Sequence, residues 1–137
     1  MSERKKALGI IRENLLVKGD KGEKKITVLF DSGASGSFIK SAIARKISTP
    51  IELRFQREFR VADGHKVSCK HFCDLSMEIG GKRIAIGAFL IDDLPAPLIF
   101  GALDMEAYMI RLDLAKRNLD LSEFTGYMLA LCIAMRV

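Results

Sequence analysis

The stretch Ile26-Thr27-Val28-Leu29-Phe30-Asp31-Ser32-Gly33-Ala34-Ser35-Gly36-Ser37-Phe38-Ile39 decides how the chain is read. Its first five residues are β-branched or apolar, the composition of a strand. At Asp31 the apolar run stops and a loop of small residues begins. A carboxylate there sits where the chain leaves the sheet, and Ser32 and Gly33 let the backbone turn tightly beside it. Gly33 also lets a ligand backbone approach closely. By itself Asp-Ser-Gly is equally an Asx-type turn closing a strand, so its meaning rests on its surroundings. Beyond the loop, Phe38, Ile39, Ala42, Ile43 and Ile47 fit one short helix, with Arg45 and Lys46 near its C-terminal end and Pro50 closing it.

Working outward, residues 10–17 are strand-compatible, and Lys18-Gly19-Asp20-Lys21-Gly22 is turn chemistry. With Lys24 to Phe30 they predict a hairpin. From Glu52 the pattern is β again, leading to Ala62-Asp63-Gly64-His65, where Asp-Gly is the strongest short hairpin signal in the chain. The returning strand is expected over about Lys66 to Ile79. Gly80-Gly81 makes another turn, and Ile84 to Ile91 forms a strand pair or one bent strand. After a loop at 92–97, Leu98-Ile99-Phe100 is a short strand ending at Gly101. Leu103 to Met109 reads as one or two helical turns, and Lys116-Arg117-Asn118 as a hairpin turn between Arg111–Leu114 and Leu119–Leu121. The chain is therefore expected to be mostly β, with two short helices.

Length and composition set the bounds. At 137 residues and 15.2 kDa there is room for one domain but not for two full lobes. The expected organisation is a single domain over 1–137, with its core at about 10–121 and an apolar C-terminal extension at 122–137. A composition of 49% hydrophobic and 28% charged residues is that of a globular chain. Three cysteines, an odd number, and no recognisable secretory leader predict free thiols in a reducing, cytoplasmic setting. No apolar run approaches the length of a membrane span. The net charge of +5 is scattered among turns and strand ends without an aromatic stacking platform, so it reads as solvated surface rather than a nucleic-acid site.

Asp31-Ser32-Gly33-Ala34-Ser35, between its apolar strand and Ser37-Phe38-Ile39, resembles the active-site loop of retropepsin-like aspartic proteases. Two further landmarks follow in the family's order. Arg60-Val61-Ala62-Asp63-Gly64 looks like the flap hairpin, and Leu98-Ile99-Phe100-Gly101 like the apolar-Gly segment before the C-terminal helix. The resemblance spans roughly residues 10–121 and implies the acid-protease β-barrel with a short helix in its C-terminal half. It also implies hydrolysis of peptide or protein substrates by a water held between two carboxylates, with no metal or other cofactor. Two like charges about 3 Å apart share a proton rather than both ionising. One chain carries one Asp-Ser-Gly, so the resemblance implies a homodimer in which Asp31 of each subunit meets at the two-fold axis.

Roles follow on the matching positions. Asp31 is expected to be the general acid/base, Ser32 the hydroxyl that braces the two loops across the dimer, and Gly33 a backbone contact to an extended substrate. Ala62, Asp63, Gly64 and His65 are expected to form the flap that closes over it. Ala34, beside the carboxylate, has no hydroxyl to favour the charged form, which predicts an activity optimum at weakly rather than strongly acidic pH. A profile peaking below about pH 3.5 would count against that expectation.

The viral members usually place a polar residue directly after the Gly of the apolar-Gly segment. Here Ala102-Leu103 come before Asp104, so the helix is expected to start one residue later and the usual polar bracing of the dimer to be missing or replaced. The apolar stretch from Glu123 onward is compatible with a dimer strand, a helix packed on the body, or a partner site. His65, Cys69, His71 and Cys73 lack the Cys-x-x-Cys knuckle of structural zinc and read as ordinary packing.

Two rivals remain. One keeps the fold as an inactive dimerisation or peptide-binding module, against which the intact Asp31-Ser32-Gly33 argues. The other is a phosphate-binding loop of the actin or sugar-kinase type, which needs a much longer chain and a second phosphate loop.

Overall fold

Two apolar runs far apart in sequence, Val28–Phe30 and Leu98–Phe100, lie side by side as parallel strands. Parallel pairing buries a strand on both faces, which is why these runs are continuously apolar rather than alternating. Val28, Phe30, Leu98 and Phe100 face the main core. Leu29 and Ile99, one residue out of phase, face a second and smaller apolar cluster. The Phe30 and Phe100 rings pack 5.0 Å apart between centroids, and both side chains are fully buried. Each contributes about 1.5–3 kcal/mol relative to an exposed ring.

The computed structural model describes residues 9–60 and 64–128. The elements in chain order are β1 (Ile10–Lys18), β2 (Glu23–Asp31), β3 (Phe38–Lys40), α1 (Ser41–Ile47), β4 (Ile51–Arg60), β5 (Lys66–Ile79), β6 (Lys82–Ile91), β7 (Leu98–Gly101), α2 (Ala102–Ala107), β8 (Arg111–Asp113) and β9 (Asn118–Asp120). Seven strands form one sheet in the order β1-β2-β7-β3-β6-β5-β4. A further pairing, Val17 with Met77 and Lys18 with Ser76, joins β1 to β5. Six strands therefore close into a barrel, and β4 continues outside it as an edge strand on β5. Closure removes the open edges that a flat sheet would expose. The mostly β barrel with two short helices matches the expectation from sequence.

β5 has fourteen residues because it serves two neighbours. Its first half pairs with β4, and its second half pairs with β6 inside the barrel. The inner half alternates: Cys73, Leu75, Met77 and Ile79 are buried. Most of β4 is exposed, so the β4–β5 hairpin projects from the body. Gly80 and Gly81, both with positive φ, make the tight turn into β6.

Two expectations are corrected. Phe38 and Ile39 belong to β3, not to the helix, which begins at Ser41. Phe38 packs in the small cluster and Ile39 in the main core, so the two point to opposite sides as a strand requires. A short apolar run does not distinguish these states by period alone. The second helix starts at Ala102, directly after Gly101, rather than later. The amides of Ala102 and Leu103 donate to the carbonyls of Ala34 and Ser35, at 2.6 and 3.1 Å, so the loop after β2 satisfies the first turn of α2. Beyond β9, Phe124 is buried against the main core, and Glu123 pairs with Arg111 at 2.9 Å. Residues 129–137, the end of the apolar extension, lie outside the described residues.

Candidate active site

β2 ends at Asp31, and the parallel register with β7 places that residue opposite Gly101. The side chain is half-buried, and its Oδ1 accepts a hydrogen bond from the Gly33 amide at 2.8 Å. The Ala34 amide donates to the Asp31 carbonyl at 3.2 Å. An Asx turn is thus present, and it fixes the carboxylate at the mouth of the loop instead of leaving it free in solvent.

The loop is held against β7 and α2 by a small buried network that motif reading missed. The Gly101 amide donates to Ser37 Oγ at 3.0 Å, and the Ser37 hydroxyl donates to Asp104 Oδ2 at 2.5 Å. Ser37 is buried, so both bonds are made out of water, where an unmet partner is costly. A Cβ on Gly101 would lie 2.1 Å from the Gly36 carbonyl oxygen and 2.8 Å from that of Ala34. Only glycine allows the loop and strand to approach so closely. Asp104, in the first turn of α2, is thereby engaged within this chain by Ser37. A serine at the loop's end and an acidic residue in the first turn of the helix after β7 were the only signals for it.

Asp31, Gly33 and Ala34 share one cleft with Phe38 of β3, Phe59 and Arg60 of β4, and the segment Ile91, Leu94, Pro95 and Ile99. Its volume is 610 Å³. Apart from Asp31, Ser35, Arg60 and the loop backbone the lining is apolar. Phe59 ties the projecting hairpin to this wall: its ring packs edge-on to Phe38 at 4.9 Å and lies 5.0 Å from Phe89.

The other sequence-selected residues separate from this group. Ser32 is exposed, and its amide and hydroxyl both reach the Gly9 carbonyl, at 2.8 and 3.4 Å. It lines a second, apolar cavity of 460 Å³ beside Met105 and Met109 rather than the Asp31 cleft. Gly64, with φ of 95°, and His65 are exposed at the far end of the hairpin and do not line the cleft. Ala62 and Asp63 lie outside the described residues. Cys69 and Cys73 are core residues, 1% and 0% exposed, and burial pushes both thiols above their ordinary pKa. Among the described residues no group of His, Cys, Asp and Glu could hold a metal ion. No helix among them is long and apolar enough to cross a membrane.

Comparison with known proteins bears on this arrangement. The structure resembles EIAV protease complexed with the inhibitor HBY-793, with a TM-score of 0.54 at 15% identity, over 69% of this chain and 84% of that one. It also resembles the retroviral protease-like domain of Ddi1 from Leishmania major, with a TM-score of 0.55 at 15% identity, over 88% and 91% of the two chains. At such identity these likenesses speak for the fold. No curated protein matches the chain. The family model described as retroviral aspartyl protease matches residues 1–126, nearly the whole length. With its barrel, its strand-ending Asp31 and this match, the chain belongs to the retroviral aspartyl protease family.

Proposed function

We propose that the protein is an aspartic endopeptidase that works as a homodimer, one Asp31 from each subunit forming the catalytic pair. The observation that carries the reading is the half-buried Asp31 carboxylate, fixed at the end of β2 and opening onto an apolar cleft in a chain of this family. One carboxylate cannot take a proton from a water and in the same step give one to the carbonyl oxygen. In a pair that shares one proton, the ionised partner takes a proton from the attacking water while the protonated one donates to the carbonyl oxygen, and the proton taken from the water then passes to the departing amine nitrogen as the C–N bond breaks. A single such loop per chain therefore calls for two chains.

Gly33 offers a backbone without a side chain to an extended substrate, and the β4–β5 hairpin, including Ala62, Asp63, Gly64 and His65, closes over it to exclude water. Ser32 braces the paired loops across the two-fold axis. The buried free thiols of Cys69 and Cys73 fit a reducing, cytoplasmic setting.

Cleavage of a mixed peptide library tests the reading directly. Asp31→Asn is expected to lower turnover by at least about a thousandfold, since it removes the shared proton from both halves of the pair. Equal turnover by the variant would end the dyad mechanism. Absence of turnover from an intact dimer that binds peptide would assign a binding module instead. For the active enzyme the pH–rate profile should peak at weakly acidic pH, and Ala34→Ser should move the peak lower by supplying the missing hydroxyl.

A further inference from the structure

Among the described residues, Arg60 is the cation in the lining of the Asp31 cleft. It is the last residue of β4, paired through its backbone with Lys66, and it follows Phe59, whose ring is clamped between Phe38 and Phe89. That clamp fixes where Arg60 stands relative to the barrel. Its side chain is exposed, and among the described residues no carboxylate pairs with its guanidinium. The segment 51–72 carries five Arg and Lys against three Asp and Glu, a net +2. Phe38, Ile91, Leu94 and Ile99 make the lining they share with Arg60 apolar.

From this juxtaposition we propose that Arg60 is a specificity-determining residue, selecting substrates that carry an Asp or Glu close to a pair of bulky apolar residues at the scissile bond. The inference deepens the peptidase reading and rests on the same cleft. An extended peptide advances about 3.3 Å per residue, so a cavity shared by Asp31 and Arg60 sets the acidic residue within about three positions of the cleaved bond. Guanidinium and carboxylate form a charge-assisted, forked hydrogen bond that a neutral amide side chain does not match. A lysine placed there meets like charge, and rejection adds to attraction in the discrimination. Because Arg60 is exposed, the preference is moderate and screened by salt.

The test uses decapeptides with a central Phe-Leu pair and Glu, Gln or Lys walked through the three positions on either side. Cleavage by the full-length protein should favour Glu over Lys about three- to thirtyfold in kcat/KM at one position. The ratio should shrink on raising salt from 0.05 to about 0.5 M, and it should invert in Arg60→Glu. Binding of the same fluorescein-labelled peptides to Asp31→Asn supplies a readout independent of turnover. A Glu preference in binding without any cleavage by the wild type supports the role of Arg60 while the catalytic reading fails. Equal treatment of Glu and Lys at every position, or a Glu preference unchanged in Arg60→Glu, overturns the proposal. So does failure of the Glu and Lys peptides alike to be bound or cut.

Discussion

Ser37 shows how much of the active-site loop depends on a single small side chain. Its Oγ accepts from the Gly101 amide and its hydroxyl donates to Asp104, so one oxygen joins the loop after β2, the end of β7 and the first turn of α2. Ser37→Ala leaves a buried N–H without an acceptor and Asp104 without a donor. The expected cost is about 2 kcal/mol, measured by urea unfolding. In a double-mutant cycle with Asp104→Ala the two losses should overlap rather than add, because both break the same bond. Additive losses would show that the bond contributes little. Asp31 illustrates the limit of a short motif. The Asx turn and the candidate catalytic carboxylate are the same residue, and its Oδ1 bond to the Gly33 amide is what aims the group. Sequence alone presents these as competing readings, whereas the geometry makes one the means of the other.

At the scale of elements, the turn between β1 and β2 is stitched to the end of α1. The Thr49 amide donates to Asp20 Oδ1 at 2.7 Å, and the Lys21 amide donates to the Ile47 carbonyl at 2.9 Å. Hydrogen bonds from Thr49 hold the Asp20 carboxyl below its ordinary pKa. A carboxyl with a depressed folded-state pKa adds stability that is fully present above the unfolded value and is lost as pH falls through the folded one. Asp20→Asn should therefore lower Tm at pH 7, and its gap to the wild type should close below about pH 4. A gap independent of pH would assign the effect to shape rather than charge. The short elements were also where sequence reading slipped. The helix after the loop begins three residues past Phe38, because β7 and β6 both offer β3 backbone partners that a local pattern does not reveal. α2 begins at Ala102 because the carbonyls of Ala34 and Ser35, nearly seventy residues earlier, accept its first amides. Long, strongly patterned elements were legible, and β5 was read at its observed bounds, Lys66–Ile79.

At the scale of the whole molecule, the barrel closes through β1 and β5, but a single barrel presents only one Asp31 to its cleft. If two chains build the catalytic pair, specific activity must fall on dilution below the dimer dissociation constant, since only the dimer carries both carboxylates. Sedimentation at working concentration should give twice the 15.2 kDa chain mass. Full activity per chain persisting into a strictly monomeric range would remove the shared site. The same association should raise Tm with protein concentration, a shift that no intrachain contact produces.

The sequence by itself determined the parts that depend on local chemistry. These are the apolar strands, the Asp31-Ser32-Gly33 loop at a strand end, the hairpin turns, and an order of landmarks sufficient to point to the family. Only the tertiary structure decided what those parts face. It lined the Asp31 cleft with Phe59, Arg60 and Leu94, and placed Ser32 in the lining of a second cavity. It also joined Ser37 to Asp104 across a separation of 67 residues. The physical reason is that strand periodicity fixes which way a side chain alternates, while the neighbour it meets is set by pairing between distant strands. Loop closure over that distance leaves no trace in local composition.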